Sequence, residues 1–179
     1  AFSRSSVSIR SHQPPDCLAM LLIDKVFGHF SKDLGIDLGT ANTLIYLKGK
    51  GIVINEPSVV AVNNRTDQIV AVGTEAQKMI GKTPSHITVT RPLVNGVISD
   101  FEVAEKMLRY FIDRLEGSNF GLSPRPQVVV GVPLDTTEVE LKAAEDAVRS
   151  AGARKVFLVE ESMAAAIGAR LHVQEAIGN

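Results

Sequence analysis

Gln127-Val128-Val129-Val130-Gly131-Val132 is an unbroken apolar run, and a strand of this composition belongs to a sheet covered on both faces. A helical pattern follows from Thr137 to Ala151 and stops at Gly152. Val156-Phe157-Leu158-Val159 is a second buried strand, and Ser162 to Leu171 a second helix with Ala164, Ala165, Ala166 and Ala169 as a small face. Strand, helix, strand, helix in that order predicts an α/β layer with parallel strands. Upstream, Asp100 to Leu115 is a strong amphipathic helix. Ser99 or Asp100 caps it, and Val103, Met107, Leu108, Phe111 and Leu115 form its stripe.

The first half of the chain carries shorter strands at close spacing: Leu34–Leu38, Thr43–Lys48 and Gly51–Asn55. Glu56-Pro57 interrupts them. Ser58–Val62 and Gln68–Val72 follow, with polar turn residues Asn63-Asn64 and Thr66-Asp67 between. A short helix Glu75–Ile80 closes at Gly81, and residues 83–99 are irregular with strand-like patches such as His86–Thr90. This arrangement reads as a smaller α+β insertion beside antiparallel edge strands.

Between the first two strands lies Asp37-Leu38-Gly39-Thr40-Ala41-Asn42-Thr43. A hairpin turn there offers backbone N–H groups, Thr and Asn donors and one carboxylate to a single point. Phosphate oxygens require such donors when they leave water, and Asp37 would face the accompanying divalent cation through water molecules. An ordinary polar hairpin closed by an Asx turn uses the same residues, and the turn by itself leaves both readings open.

A formal net charge of -1 over 179 residues offers nucleic acid no electrostatic footprint. Cys17 is the single cysteine, so no internal disulfide can form, and no Cys/His cluster is spaced for a structural metal. That usage fits a reducing, intracellular compartment. No run of about 18 apolar residues is present to cross a membrane. Ala1 to Ala19 is rich in Ser and Arg without apolar periodicity, and reads as a disordered tail or as translation upstream of a start at Met20 rather than a transit peptide. Met20–Phe30 then places Ile23, Val26, Phe27 and Phe30 on one face of a short helix, with His29 a solvated position on it. Such a face suits either a membrane interface or packing on the chain's own domain.

Taken in order, these words resemble the actin superfamily of ATPases and, more closely, the MreB family of bacterial actin-like, rod-shape-determining proteins. The resemblance is carried by Gly35-Ile36-Asp37-Leu38-Gly39-Thr40-Ala41-Asn42-Thr43, Gly49-Lys50-Gly51-Ile52-Val53 and Asn55-Glu56-Pro57-Ser58-Val59-Val60-Ala61. It continues through Met79-Ile80-Gly81-Lys82-Thr83-Pro84, Gly96-Val97-Ile98-Ser99-Asp100-Phe101 and Ala164-Ala165-Ala166-Ile167-Gly168. It implies the first half of an actin-like, ribonuclease H-like α/β fold. In that fold 32–55 and 100–179 make subdomain IA, 56–99 the small subdomain IB, and 20–31 an amphipathic N-terminal helix.

The same resemblance implies ATP and Mg2+ as cofactors. Gly39, Thr40, Ala41 and Asn42 then approach the phosphates, and Asp37 sits near the metal through water. Glu140 takes the place of the hydrolysis residue, and Glu160 and Glu161 lie in the connecting segment near the metal. On charge alone, Glu140 is a favourable carboxylate in the first turn of a helix, and Glu160 and Glu161 fit a solvated strand-to-helix turn. The implied partners are further copies in protofilaments, the inner membrane surface through Met20–Phe30, and wall-elongation membrane proteins. The implied location is cytoplasmic, peripheral at the inner membrane face. Three positions depart from the family: Leu141-Lys142 stand where arginines are usual, and Ser162 where proline is usual.

ATP hydrolysis is expected of the full-length protein. This chain lacks the family's second phosphate segment and adenine site, so alone it is expected to bind ATP weakly or not at all. Other readings remain. A seventy-kilodalton heat-shock-type chaperone ATPase shares Asp37-Leu38-Gly39-Thr40 but typically carries Thr-Asn-Ser after it and a longer insertion. A sugar or acetate kinase would need a catalytic constellation absent here, and a non-hydrolysing filament scaffold is the non-enzymatic alternative.

Overall fold

The computed structural model describes residues 33–116 and 125–171; the segment Met20–Phe30 and the tail before it lie outside the described residues. In chain order the elements begin with β1 (Asp33–Leu38), β2 (Asn42–Leu47), β3 (Gly51–Pro57), β4 (Val60–Asn63) and β5 (Gln68–Val72). Next come α1 (Thr74–Lys78), β6 (Ile87–Thr90), β7 (Leu93–Val94), β8 (Val97–Ile98) and α2 (Phe101–Glu116). The last four are β9 (Gln127–Val132), α3 (Glu138–Ser150), β10 (Lys155–Glu160) and α4 (Glu161–Gly168). The main sheet has the order β10-β9-β1-β2-β3, parallel across β10, β9 and β1 and antiparallel from β1 to β3. β5-β4-β6 form a separate small sheet, and β7-β8 a two-stranded ribbon. The expected α/β layer with antiparallel edge strands is present.

Helices α2 and α3 cover one face of the main sheet. Leu34, Ile36 and Leu38 from β1, Val128 and Val130 from β9, and Ile45 from β2 meet Met107, Leu108, Phe111, Ala147 and Val148 in a single core cluster. Asp100 caps α2, its Oδ1 accepting from the Val103 N–H at 3.1 Å. The stripe of α2 is turned slightly from the one read in the sequence. Ala104 and Ile112 are buried with Met107, Leu108 and Phe111, while Val103 and Leu115 pack at the margin of the cluster. Both sets obey helical spacing, and contact with β5 and α3 chooses between them.

Three local expectations are corrected. β3 runs through Glu56 to Pro57 rather than stopping at Asn55, and the break before β4 falls just after the proline; as an edge strand, β3 needs no donor on its outer side there. Helix α4 runs from Glu161 and stops at Gly168, because Arg170 takes φ 60° and the Arg170 and Leu171 amides close back on the Ile167 and Ala166 carbonyls. The third concerns burial. Only alternate residues of β9 are enclosed: Val128 and Val130 are fully buried, while Val129 is 43% exposed. Tyr46, Ile52 and Phe157 are likewise exposed, so among the described residues the second face of the sheet is covered only in part, by α4.

Residues Glu56-Pro57-Ser58 join the main sheet to the small one. Glu56 Oε2 accepts from Thr74 N at 2.9 Å and from Thr74 Oγ1 at 2.6 Å, and Arg114 of α2 reaches Oε1 at 3.2 Å. The Thr74 hydroxyl bond does most to hold this carboxyl below the usual glutamate range. Gly73 makes the approach possible: at φ 69° it has no side chain, and a Cβ would lie 2.6 Å from Glu56 Oε2. Lys106 of α2 adds a second tie to the small sheet, bonding the Asp67 carboxylate at 2.5 Å.

The uneven cover of the sheet predicts an uneven response to truncation. Phe111→Ala, at a fully buried site, should cost about 3–5 kcal/mol in urea unfolding. Phe157→Ala, at a site 53% exposed, should cost under about 1 kcal/mol. Comparable losses would show that the outer face is enclosed in solution.

Candidate functional site

Alternation along β1 decides where its carboxylate goes. Ile36 and Leu38 point into the core, so Asp37 between them emerges on the open face of the sheet. The parallel register sets Asp37 opposite Gly131 of β9, and Gly131 opposite Val159 of β10. A groove of about 570 Å³ runs over this face, lined among others by Gly35, Asp37, Tyr46, Gly131, Glu161 and Ala165. Its size is that of a small-molecule site.

Directly after Asp37 comes the turn between β1 and β2. Gly39 is required there by contact rather than by φ, because a Cβ would meet the Asn42 carbonyl oxygen at 2.6 Å. Ser58 braces the turn from behind: its Oγ donates to Gly39 O at 2.7 Å and its N–H to Ala41 O at 2.9 Å. Thr43 Oγ1 lies 3.0 Å from Ser58 Oγ, and both side chains are fully buried. On another side the Gly96 N–H donates to Thr40 Oγ1 at 2.9 Å. A hydroxyl that accepts still has its own proton to give, so Thr40 keeps a donor for a ligand. Gly96 fits this contact because the ribbon turn packs on Pro133, where a Cβ would lie 2.8 Å from Pro133 Cγ. Asn42 Nδ2 bonds Asn55 Oδ1 at 3.3 Å. Thr40, Ala41 and Asn42 are all exposed.

The three glutamates singled out in the sequence have different surroundings. Glu161 begins α4 and folds back over Gly131, its Cγ 3.3 Å from where a Gly131 Cβ would stand. Burial raises its pKa above the usual glutamate range, and the Asp37 charge raises it further. Both carboxylates line the same groove. Glu160, by contrast, is bonded by the hydroxyl of Ser162, two residues on, at the residue that departs from the family's proline.

Glu140 does not join the pair and is absent from the groove lining. Its Oε2 accepts from Thr137 N at 2.8 Å and from Thr137 Oγ1 at 2.7 Å, and Thr137 caps the Glu140 N–H in return. This reciprocal capping box starts α3 and, through the Thr137 hydroxyl first, holds the Glu140 carboxyl below the usual range. Lys142, another departure, bonds Asp146 and Glu145 along the same helix, and the Asp146 bond does most to raise its pKa.

A magnesium ion takes one or two protein carboxylates and completes its octahedron with water and substrate oxygens. Asp37 and Glu161 fit that demand, and Asp37 is exposed enough to act through water. Among the described residues no group of three or more His, Cys, Asp or Glu could hold a metal without further ligands. A cation in this groove therefore depends on oxygens brought by an anionic ligand. Sequence reasoning missed Gly131, Gly96 and Ser58, which act only through residues distant along the chain.

A family model described as MreB/Mbl protein matches residues 31–179. The cell shape-determining protein MreB of Pasteurella multocida is 53% identical over 163 residues, covering 89% of this chain and 46% of the relative. MreB of Escherichia coli K12 is 52% identical over 162 residues, with 88% and 46% covered. Mbl of Bacillus subtilis is 49% identical over 150 residues, with 84% and 44% covered. The chain thus spans about half the length of the curated relatives it matches. Among solved structures, MreB5 of Spiroplasma citri bound to ADP superposes with a TM-score of 0.70 at 37% identity, over 80% of this chain and 42% of that one. The same protein bound to AMPPNP gives 0.70 at 38% identity, over 80% and 43%. A MamK double helical filament gives 0.64 at 22% identity, over 78% and 44%, a likeness of fold.

The paired carboxylates carry a pH signature. Raising the Glu161 pKa in the folded state means that its ionised form opposes folding, so the penalty is present above that raised pKa and gone below the ordinary glutamate value. Glu161→Gln should therefore stabilise the protein at neutral pH, with the gain shrinking as pH falls through the raised value and vanishing below the ordinary glutamate value. Urea unfolding at a series of pH values reads this, and a pH-independent difference would contradict the burial of Glu161 beside Asp37.

Proposed function

Because the chain belongs to the MreB/Mbl family, we propose that it forms one jaw of the ATP cleft of an actin-like cytoskeletal ATPase. The observation that carries the reading is the placement of Asp37 and Glu161 in one groove, with the Gly39–Asn42 turn following Asp37 directly and tied through Thr40 to Gly96. The nucleotides held by the Spiroplasma citri relative support it. In this reading 32–55 with 100–179 form subdomain IA, and 56–99 the small subdomain IB. The phosphates lie against the N–H groups of Gly39 to Asn42 and the Thr40 hydroxyl. Mg2+, when bound with the nucleotide, offsets phosphate charge.

The chain's own groups do the rest. Asp37 orients the water shell on the metal side. Glu161, rather than Glu140, orients the attacking water and accepts its proton: it lies in the groove beside Asp37, whereas Glu140 is closed into its own capping box. Glu140 serves α3 through Thr137, and Glu160 is held by Ser162. The filament state, contact of Met20–Phe30 with the inner membrane surface, a cytoplasmic location at that surface and association with wall-elongation membrane proteins complete the proposal. Family membership supports these four points.

Phosphate release from ATP and Mg2+, measured on the protein at its relatives' full length, tests the assignment. The wild type should turn over, and Glu161→Gln should lower kcat at least ~100-fold, the scale of a lost general base. Glu140→Gln should stay within about threefold, since glutamine also closes a capping box. A collapse in Glu140→Gln with Glu161→Gln active would return the role to Glu140. No release from the wild type would favour a non-hydrolysing scaffold.

A further inference from the structure

We propose that Ser58 is the positioning residue of the Gly39–Asn42 turn, drawing two of its carbonyls backward so that the partnered N–H groups face the anion. The proposal rests on the reading of that turn as a phosphate site. Ser58 lies 19 residues from Gly39 and cannot touch a ligand, being fully buried, yet it makes two bonds into the turn. Its Oγ–H takes the Gly39 carbonyl and its N–H takes the Ala41 carbonyl. All peptide bonds described are trans, and in a trans peptide the C=O of one residue and the N–H of the next point in opposite directions. Holding Gly39 O and Ala41 O toward Ser58 thus aims the Thr40 and Asn42 N–H groups the other way.

The same two bonds keep carbonyl oxygens from turning toward a phosphate, where they would repel it. The hydroxyl network has a defined direction. Ser58 has one proton, which goes to Gly39 O, so Thr43 must be the donor in the 3.0 Å contact between the two hydroxyls. The Thr43 hydroxyl is thus spent on Ser58, and the bond that reaches the turn is the one from Ser58 to Gly39 O. Because Ser58 follows Glu56, the residue that sets the turn is two positions from the one that grips Thr74 of the small sheet.

A merely structural hydroxyl would affect stability alone, so the test separates stability from affinity. Binding of ADP with magnesium is measured by calorimetry on the protein at its relatives' full length, beside urea unfolding. Ser58→Ala should weaken ADP about tenfold, the effect of misplacing one hydrogen-bonding group. Ser58→Cys keeps the side chain's shape with a somewhat larger atom and a weak donor and should show the same loss, which keeps the test open if the alanine variant does not fold. Thr43→Val removes the other buried hydroxyl, leaves the bond to Gly39 O, and should lower stability while ADP affinity stays within about threefold. Ser58 variants that bind ADP like the wild type, or a Thr43→Val loss as large as theirs, would overturn the proposal alone. A wild type that binds no ADP would overturn it together with the phosphate-site reading.

Discussion

Asp37 reaches the groove because Ile36 and Leu38 cannot leave the core. β1 is the central strand of the main sheet, pairing in parallel with β9 and antiparallel with β2. A slip of one residue would carry three buried side chains to the open face and sink the carboxylate among Val128, Val130 and Phe111. The hydrophobic face therefore fixes the register, and the register sets Asp37 opposite Gly131. A side chain at Gly131 would crowd Glu161, so the second carboxylate occupies its place only because the facing strand carries a glycine there.

What distinguishes the acidic residues is the partner each one has. Glu140, Glu160 and Glu161 all lie where a strand gives way to a helix, and all could be drawn toward an incoming ligand on charge alone. A capping box claims Glu140, a neighbouring hydroxyl claims Glu160, and Glu161 is left with Asp37 and a partly dry surface. Hydrogen bonds to an ionised carboxylate lower its basicity, whereas burial beside a like charge raises it. Two of the three departures from the family make structural bonds: Ser162 engages Glu160, and Lys142 pairs along its own helix.

Much of this was legible in the sequence, and its limits have physical reasons. The hairpin, the parallel strands, α2 and α3 follow from periodicity, because each pattern reports local geometry. Thr137-Glu138-Val139-Glu140 is itself a capping-box pattern, so the Glu140 arrangement had a local signal that the family resemblance outweighed. The one-sided burial of β9 had none, since a run of valines states what a strand tolerates and not what lies above it. Nor did Ser58, Gly96 and Gly131 announce themselves. Their roles arise from contacts across 19 residues in one case, 56 in another and a neighbouring strand in the third.

The segment Glu56-Pro57-Ser58 shows how such distant contacts combine. Proline at Pro57 is tolerated because β3 is an edge strand, and its fixed φ stiffens the exit from the main sheet. On one side of it Glu56 binds Thr74 and Arg114, joining the small sheet to α2. On the other side Ser58 binds the turn that follows Asp37. Exposed ion pairs alone would hold the small sheet weakly, but this carboxylate is mostly enclosed and takes three donors, so displacing it leaves a charge without its hydrogen bonds. One three-residue link thus holds the small sheet through Glu56 and the carbonyls of the turn through Ser58.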